Sequence, residues 1–303
     1  VTHMVAPLVS IAMPVRNCER TLDIAIRSIV QQTFPHWELL VLDDGSTDLT
    51  YEVAAACRDP RLRVIADGFH SGLPSRLNQA VRLSRGKYLA RMDGDDVSFP
   101  DRLRRQVAYL EGRPEVDLIG TSVIVFRGDG EPIGVRLVRD SHQWISRRPW
   151  GAFPMAHSSW MGRTEWFRKN PYDSGVIRAE DQELLLRTYR RSRFGAIEDV
   201  LLGYREDRLA LRNICRGRVS YGMAVVRRFC RDRQYGQALA GAVGHSIKLL
   251  LDVAAVASGL NYRVLRGRAM PAPLSVCSEW QAVWAELTGS RAHTCEIREL
   301  IKQ

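Results

Sequence analysis

Met92-Asp93-Gly94-Asp95-Asp96-Val97-Ser98-Phe99-Pro100 is the stretch on which the reading of this chain turns. It follows the apolar run Tyr88-Leu89-Ala90, and a helix-like segment opens at Pro100 and runs to Glu111. Three carboxylates therefore crowd a loop at the carboxyl end of a predicted strand. Like charges this close repel unless a cation or a proton intervenes. An Asp-x-Asp pair at a strand end suits a divalent metal that also grips substrate phosphates, because Mg²⁺ takes one or two protein carboxylates and leaves its other positions to phosphate and water. Taken alone, the stretch reads better as a solvated Asp-Gly turn. Its neighbours in the sequence decide otherwise.

Working outward, residues 8–13 (LVSIAM), 37–42 (WELLVL), 62–66 and 87–92 predict strands. Between them, residues 20–32 place Leu22, Ala25, Ile26, Ile29 and Val30 at helical spacing. A second helix, capped by Thr47 or Asp48, runs to about Cys57, and a third covers residues 73–83. Strands alternating with helices imply right-handed βαβ units: an α/β fold built on a mainly parallel sheet. Ligands of such sheets bind outside the carboxyl ends of the strands, near a topological switch point. The polar loops fall there: Arg16-Asn17 after the first strand, Asp43-Asp44 after the second, Asp93 to Asp96 after the fourth. Three loops converging on one edge are hard to dismiss as separate solvated turns. No Gly-x-Gly-x-x-Gly follows the first strand and no Gly-x4-Gly-Lys-[Ser/Thr] occurs, which disfavours a dinucleotide fold and a P-loop enzyme.

The series VSIAMPVRN, SIVQQTFPHWELLVLDDGSTD and RGKYLARMDGDDVSFPDRL, in that order, resembles the inverting family 2 glycosyltransferases with the GT-A fold, over residues 8 to about 205. The resemblance implies a UDP- or dTDP-sugar donor, Mn²⁺ or Mg²⁺ as cofactor, and transfer with inversion at the anomeric carbon. By position it puts Pro14, Val15 and Arg16 along the nucleotide pocket and Asp44 on the edge of a uracil or thymine. Asp93 and Asp95 become the Asp-x-Asp motif, with Asp95 as the direct metal ligand. The expected catalytic domain spans residues 4–205, with a nucleotide half at 8–100 and an acceptor half at 101–205. A basic helical extension follows at 206–303.

Inverting transfer needs a base for the acceptor hydroxyl. Ala179-Glu180-Asp181-Gln182-Glu183-Leu184 opens a helix and resembles the family's Glu-Asp motif, which makes Asp181 the base. The helix dipole at this end favours ionised carboxylates, so Asp181 is expected charged at neutral pH; the plainer reading is acids decorating a first turn. Glu180 and His157 are candidates for the acceptor or diphosphate pocket, although a lone His beside apolar residues serves equally as a structural group. Arg76 and Asn78 pass near the donor side, but Arg76 reads as well as a surface helix charge. The Gln-x-x-Arg-Trp motif of polymer-building family members is missing after the base, which favours transfer of a single sugar.

The chain has 303 residues and a net charge of +10, of which +8 falls in residues 203–303 (16 Arg/Lys, 8 Asp/Glu). Residues 216–233 are Arg-rich, with Val219, Met223, Val226 and Phe229 interleaved. Residues 245–260 align Ile247, Leu250, Leu251, Ala254 and Ser258, and Arg263, Arg266 and Arg268 follow. Lys248 and Asp252 argue against a membrane span. Two readings stay open: a basic amphipathic surface on an anionic membrane, where a lipid-linked acceptor would lie, and packed helices with a solvated basic face. Trp280, Val283, Trp284 and Leu287 at i, i+3, i+4 and i+7 dock a last helix onto the core or onto a second copy of the chain. Val1-Thr2-His3 ahead of Met4 is read as a vector remnant. Six scattered cysteines without a Cys-x-x-Cys pair read as reduced thiols, hence a cytoplasmic protein, and the first of the two readings would place it peripherally on the inner face of the membrane. The leading expectation is an enzyme of surface-polysaccharide or glycolipid assembly acting on a saccharide or lipid-linked acceptor. The alternatives are a catalytically silent nucleotide-sugar binder and a non-specific nucleic-acid binder; no motif for specific nucleic-acid recognition is present.

Overall fold

The structure, a computed structural model, describes residues 6–207, 211–258 and 269–289. The residues ahead of Val5, the Arg263, Arg266 and Arg268 cluster and Cys295 lie outside the described residues.

Strands β1 (Val9–Val15), β2 (Trp37–Asp43), β3 (Leu62–Ala66) and β4 (Tyr88–Arg91) alternate with helices α1 (Leu22–Val30), α2 (Thr50–Ala56) and α3 (Leu73–Leu83). β1, β2 and β4 are buried along their whole length, as expected of strands covered by helices on both faces. α1 buries Leu22, Ala25, Ile26 and Ile29, the stripe that its spacing announced. Neither Thr47 nor Asp48 occupies the cap position of α2, which falls on Leu49; Asp48 stands one residue ahead of it and its Oδ1 accepts from the Thr50 amide at 3.0 Å.

The second half contributes β5 (Val97–Ser98), α4 (Arg102–Glu111), β6 (Leu118–Arg127), β7 (Glu131–Arg136), α5 (His142–Ile145), a 3-10 turn at His157–Ser159, β8 (Met161–Arg163), α6 (Thr164–Lys169), α7 (Glu180–Thr188) and β9 (Phe194–Arg205). The strands all join one sheet of order β3-β2-β1-β4-β8-β6-β9-β5, with β7 paired to β6 off this path. The four strands β3-β2-β1-β4 are parallel throughout. Because the chain moves outward from β1 to β3 and returns to β4 on the other side of β1, the switch point lies between β1 and β4. The Arg16 and Asp93 loops leave the sheet there. Beyond β4 the pairing is mixed: β8 runs antiparallel to β4 and β6, β5 antiparallel to β9, while β6 and β9 are parallel.

Two helices, α8 (Leu211–Arg231) and α9 (Tyr235–Ala257), fold back on each other across a turn in which Arg233 has φ +55°. The pattern predicts helix only from residue 245 in the second of them. Gly236, Gly241 and Gly244 weaken helix propensity over the preceding turns, and packing overrides it: a Cβ on Gly241 would come within 2.3 Å of Val225 of α8. Residues 235–255 are also long and apolar enough, at mean hydropathy 1.4, to match a bilayer by length and composition. Of the two charges that argued against a span, Asp252 is paired inside the hairpin, with Arg218 at 2.8 Å.

The last helix, α10 (Leu274–Thr288), docks on the sheet. Trp280 is fully buried, its ring 4.6 Å from Phe126 and 6.0 Å from Phe99, and its indole N–H donates to the Gly130 carbonyl at 2.7 Å. A Cβ on Gly203 would lie 2.3 Å from the Trp280 ring, so only glycine allows this approach. Residues 274–288 therefore share a hydrophobic core with β5, β6 and β9.

Candidate active site

β4 ends on Arg91, buried at 3% exposure, and the carboxylate loop follows. Arg91 forms an ion pair with Asp93. Gly94 then passes so close to β1 that a Cβ there would stand 2.7 Å from Val15 Cγ1, and its carbonyl accepts from Thr21 Oγ1 at 2.9 Å. The loop is thus seated on the end of β1, and one carboxylate oxygen from each of Asp93, Asp95 and Asp96 lies within 4.8 Å of the others. Burial, and then the charge of Asp93, push the Asp95 carboxyl up to about 6. Burial and the Asp95 charge push Asp96 well above the ordinary range. Asp96 Oδ1 accepts from the Arg205 amide at 2.9 Å, while its buried Oδ2 has no hydrogen-bond partner among the described residues. Three crowded carboxylates with an orphaned oxygen fit a divalent cation, which would remove both the repulsion and the unmet bond.

Two arginines brace this loop from behind. Arg205 donates to the Asp95 carbonyl at 3.0 Å and lies over the Phe126 ring. Arg102, 1% exposed, donates to the carbonyls of Arg91 and Ser158 at 2.7 and 2.9 Å. Arg102 therefore ties the carboxylate loop to the turn that carries His157.

One cleft of about 800 Å³ brings Asp93, Asp95 and Asp96 together with His157, Glu180 and Asp181, and Arg91, Arg136, Arg178 and Arg205 also line it. Glu180 and Asp181 open α7, as the sequence predicts. Asp181 is steadied by Gln182, whose side-chain amide donates to Asp181 Oδ2 at 3.2 Å and whose carbonyl oxygen accepts from the Phe153 amide at 2.7 Å. The helix-dipole expectation needs correction here. Burial dominates and pushes Asp181 up from the ordinary carboxylate range. Glu180 is pushed up to about 7, by burial first and by Asp181 second. The two acids share a low-dielectric wall in which the second charge is costly.

His157 is a neutral imidazole: burial, then the charge of Arg91, pushes it well below its usual range. Its Nε2 lies 3.0 Å from the Tyr172 hydroxyl and its ring meets Trp160 edge-on at 4.7 Å. It is at once a packed group and a cleft residue.

Pro14, Val15, Arg16 and Asp44 gather beside the cleft and do not line it. Pro14 and Val15 are buried at the end of β1; Arg16 is exposed, with Nη1 2.9 Å from His70 Nε2. The Asp44 amide donates to the Val15 carbonyl at 2.9 Å. Its carboxylate accepts from the Ser71 amide at 2.7 Å, Gly72 at 3.1 Å and Arg76 Nε at 2.9 Å, and sits 2.7 Å from His70 Nδ1. Burial opposes its charge, but the Ser71, Arg76 and His70 bonds outweigh burial and hold Asp44 below the usual range. Asp44 therefore anchors the turn ahead of Leu73, itself a cleft residue. Arg76 is not a surface charge: at 1% exposure it bridges Asp44 and Asp67. The apolar periodicity of α3 hid it, because an arginine on the buried face looks like a break in the stripe. Asp96 reads in the sequence as one of the three crowded carboxylates, with no role of its own, and Arg91, Arg102 and Arg205 were missed; Arg205 sits 109 positions from Asp96, beyond any local pattern.

A carboxyl raised on folding lowers stability once it must ionise. Glu180 has an ordinary value of 4.5 and a folded value of about 7, so the protein loses stability as pH climbs between them. Glu180→Gln is expected to stabilise the fold by about 1–3 kcal/mol at pH 8, a gain that fades to nothing as pH falls below about 4.5. Urea unfolding at both pH values checks this, and equal stability at pH 8 would remove the buried, protonated Glu180.

Comparison with known proteins gives the family and the fold. The model of the family described as Glycosyl transferase family 2 matches residues 10–170, more than half of the chain. The chain belongs to that family, and its fold is GT-A. EpsE of Bacillus subtilis, whose glycosyltransferase name is itself provisional, is 42% identical over 136 residues, 44% of this chain and 48% of EpsE. WfgD of Escherichia coli, named a UDP-Glc:alpha-D-GlcNAc-diphosphoundecaprenol beta-1,3-glucosyltransferase, is 34% identical over 103 residues, 34% of this chain and 41% of WfgD. These matches span about half or less of the relatives' length. Among solved structures, the mannosyltransferase PcManGT from Pyrobaculum calidifontis, in complex with GDP-Man and Mn²⁺, superposes with a TM-score of 0.56 at 17% identity, covering 95% of this chain and 88% of that one.

Proposed function

We propose that this chain transfers one sugar, with inversion, from a UDP- or dTDP-sugar to a hydroxyl of a saccharide or lipid-linked acceptor in surface-polysaccharide or glycolipid assembly, working from the cytoplasmic side of the membrane. The observation that carries the reading is the single cleft in which the three clustered carboxylates of Asp93, Asp95 and Asp96 meet Glu180 and Asp181. Asp95, with Asp93 and Asp96, would hold Mn²⁺ or Mg²⁺, which when bound supplies charge neutralisation for a leaving diphosphate. Asp181 takes the proton from the acceptor hydroxyl, and Gln182 fixes its orientation. Arg91 and Arg205 add fixed positive charge to the wall on which negative charge develops. Val15, Arg16 and the turn held by Asp44 form the side on which the nucleotide rests. Support from relatives is consistent: one is named for a UDP-sugar donor, and a neighbour of the same fold holds a nucleotide sugar with Mn²⁺.

The test is a donor screen. UDP-, dTDP- and GDP-sugars are incubated with the protein and Mn²⁺, and slow hydrolysis is followed by nucleotide release and by the anomeric configuration of the freed sugar. Uracil or thymine nucleotides should be preferred, with inverted product. Preference for GDP would overturn the pyrimidine assignment of Asp44, and retained configuration would overturn the mechanism.

A further inference from the structure

Asp44 follows β2, the strand that lies between β1 and β3 in the sheet. Ligands of parallel sheets rest over such strand ends. Here a bridge of side chains crosses the place. Arg16, just past β1, reaches His70, beyond β3, and His70 reaches Asp44. Chemistry fixes the proton positions. A guanidinium can only donate, so Arg16 Nη1 donates to His70 Nε2 at 2.9 Å. The ring proton then sits on Nδ1, which donates to Asp44 Oδ2 at 2.7 Å.

The Asp44 carboxylate has no accepting capacity left over. A carboxylate offers about four acceptor sites. The Ser71 amide, the Gly72 amide, Arg76 Nε and His70 Nδ1 use them. Three of these donors are fixed. Two are backbone amides of the turn itself, and Arg76 is 1% exposed and tied to Asp67 as well. His70 is different: its side chain is 53% exposed. It can swing to another rotamer while the turn keeps its own bonds. An N–H arriving from outside therefore reaches Asp44 only by taking the place of the imidazole. With the bridge in position the Asp44 side chain is 7% exposed, and the cleft reaches Leu73 but neither Arg16 nor Asp44.

We infer that His70 is a built-in placeholder for the donor base, making the two hydrogen bonds that the base will make and leaving when the nucleotide enters. The inference rests on the donor reading above and adds to it how the base gains its seat. In the exchange, the N3–H of uracil or thymine replaces Nδ1–H on Asp44, and the adjoining carbonyl replaces Nε2 in front of Arg16. Neither anchor loses a bond, so the carboxylate is satisfied both before and after binding. The consequence falls on affinity, because only molecules whose His70 has swung out can accept the base.

The experiment is calorimetry on the full chain and its His70→Ala variant in Mn²⁺, with UDP, UDP methylated at N3 and inorganic diphosphate as probes. UDP should bind His70→Ala about three- to tenfold more tightly. Inorganic diphosphate has no base to offer Asp44 and should bind both proteins alike. The methylated UDP lacks the N–H and should gain nothing from the substitution. A histidine that only braced the turn would give the opposite sign, with UDP weakened by its removal. That result, or equal UDP affinity in the two proteins, would overturn the placeholder and leave the donor reading standing. An equal gain for methylated UDP would overturn the exchange of hydrogen bonds. The unsubstituted protein supplies a second measurement, with Mg²⁺ in place of Mn²⁺ for NMR. Saturating UDP should shift the His70 ring resonances while inorganic diphosphate leaves them in place, and resonances unmoved by UDP would overturn the displacement. Absence of UDP binding in both proteins would strike the donor reading itself, and this inference with it.

Discussion

Asp181→Asn is expected to cut turnover by about 10²–10⁴-fold, the usual worth of a general base, while donor affinity stays within a few-fold. The asparagine keeps the shape that Gln182 recognises and loses only the capacity to accept a proton. The pH profile adds a second signature. Burial raises Asp181, and Glu180 beside it is raised to about 7. A base with a raised value works only after it has lost its proton. The acid limb of kcat/KM should therefore lie above the ordinary carboxylate range, with activity falling as pH drops through it. Steady-state kinetics with the donor identified by the screen would show both effects. Near-normal transfer by Asp181→Asn would shift the role to Glu180.

Removal of divalent metal is expected to weaken UDP or dTDP binding on the order of 10²-fold, since the uncompensated carboxylates of the loop would then face a diphosphate directly. Asp95→Asn should lower both affinity and turnover, unlike Asp181→Asn, which spares the first. Calorimetry in Mn²⁺ and in EDTA separates the two cases. Equal nucleotide affinity in EDTA would remove the metal from the site. The same carboxylates weigh against a nucleic-acid-binding role for this cleft, because without a cation they repel phosphate.

The parallel half of the sheet was legible because its strands are apolar runs of four to seven residues separated by helices of ordinary period. Beyond β4 the signal fails for concrete reasons. β8 and β5 are three and two residues long, too short to show alternation, and their pairing is dictated by the neighbours they lie between. The acidic members of the cleft could be read because loops and helix starts advertise carboxylates. Its cations could not. Arg91, Arg102 and Arg205 are charged residues at strand ends or on a buried helix face, and the local pattern assigns such residues to solvent. Arg102 is instead fully enclosed, and burial pushes its guanidinium down to about 9.

The docking of α10 bears on how the protein is made. Trp280 meets Gly130 across 150 positions of sequence, and Arg27 meets the Leu287 carbonyl across 260. Contacts so remote must close a long loop before they return any stability. During synthesis at roughly 5–20 residues per second, Phe126 would leave the ribosome on the order of ten seconds ahead of its cover. Arg205, which holds the Asp95 carbonyl, leans on Phe126 and on Trp284 of that late helix. A nascent chain can therefore assemble β1 to β4 and the nucleotide side while its carboxylate loop still lacks the brace behind it. Catalytic competence arrives last, and the apolar edge that waits for α10 is where a chaperone, or an aggregate, would find the unfinished enzyme.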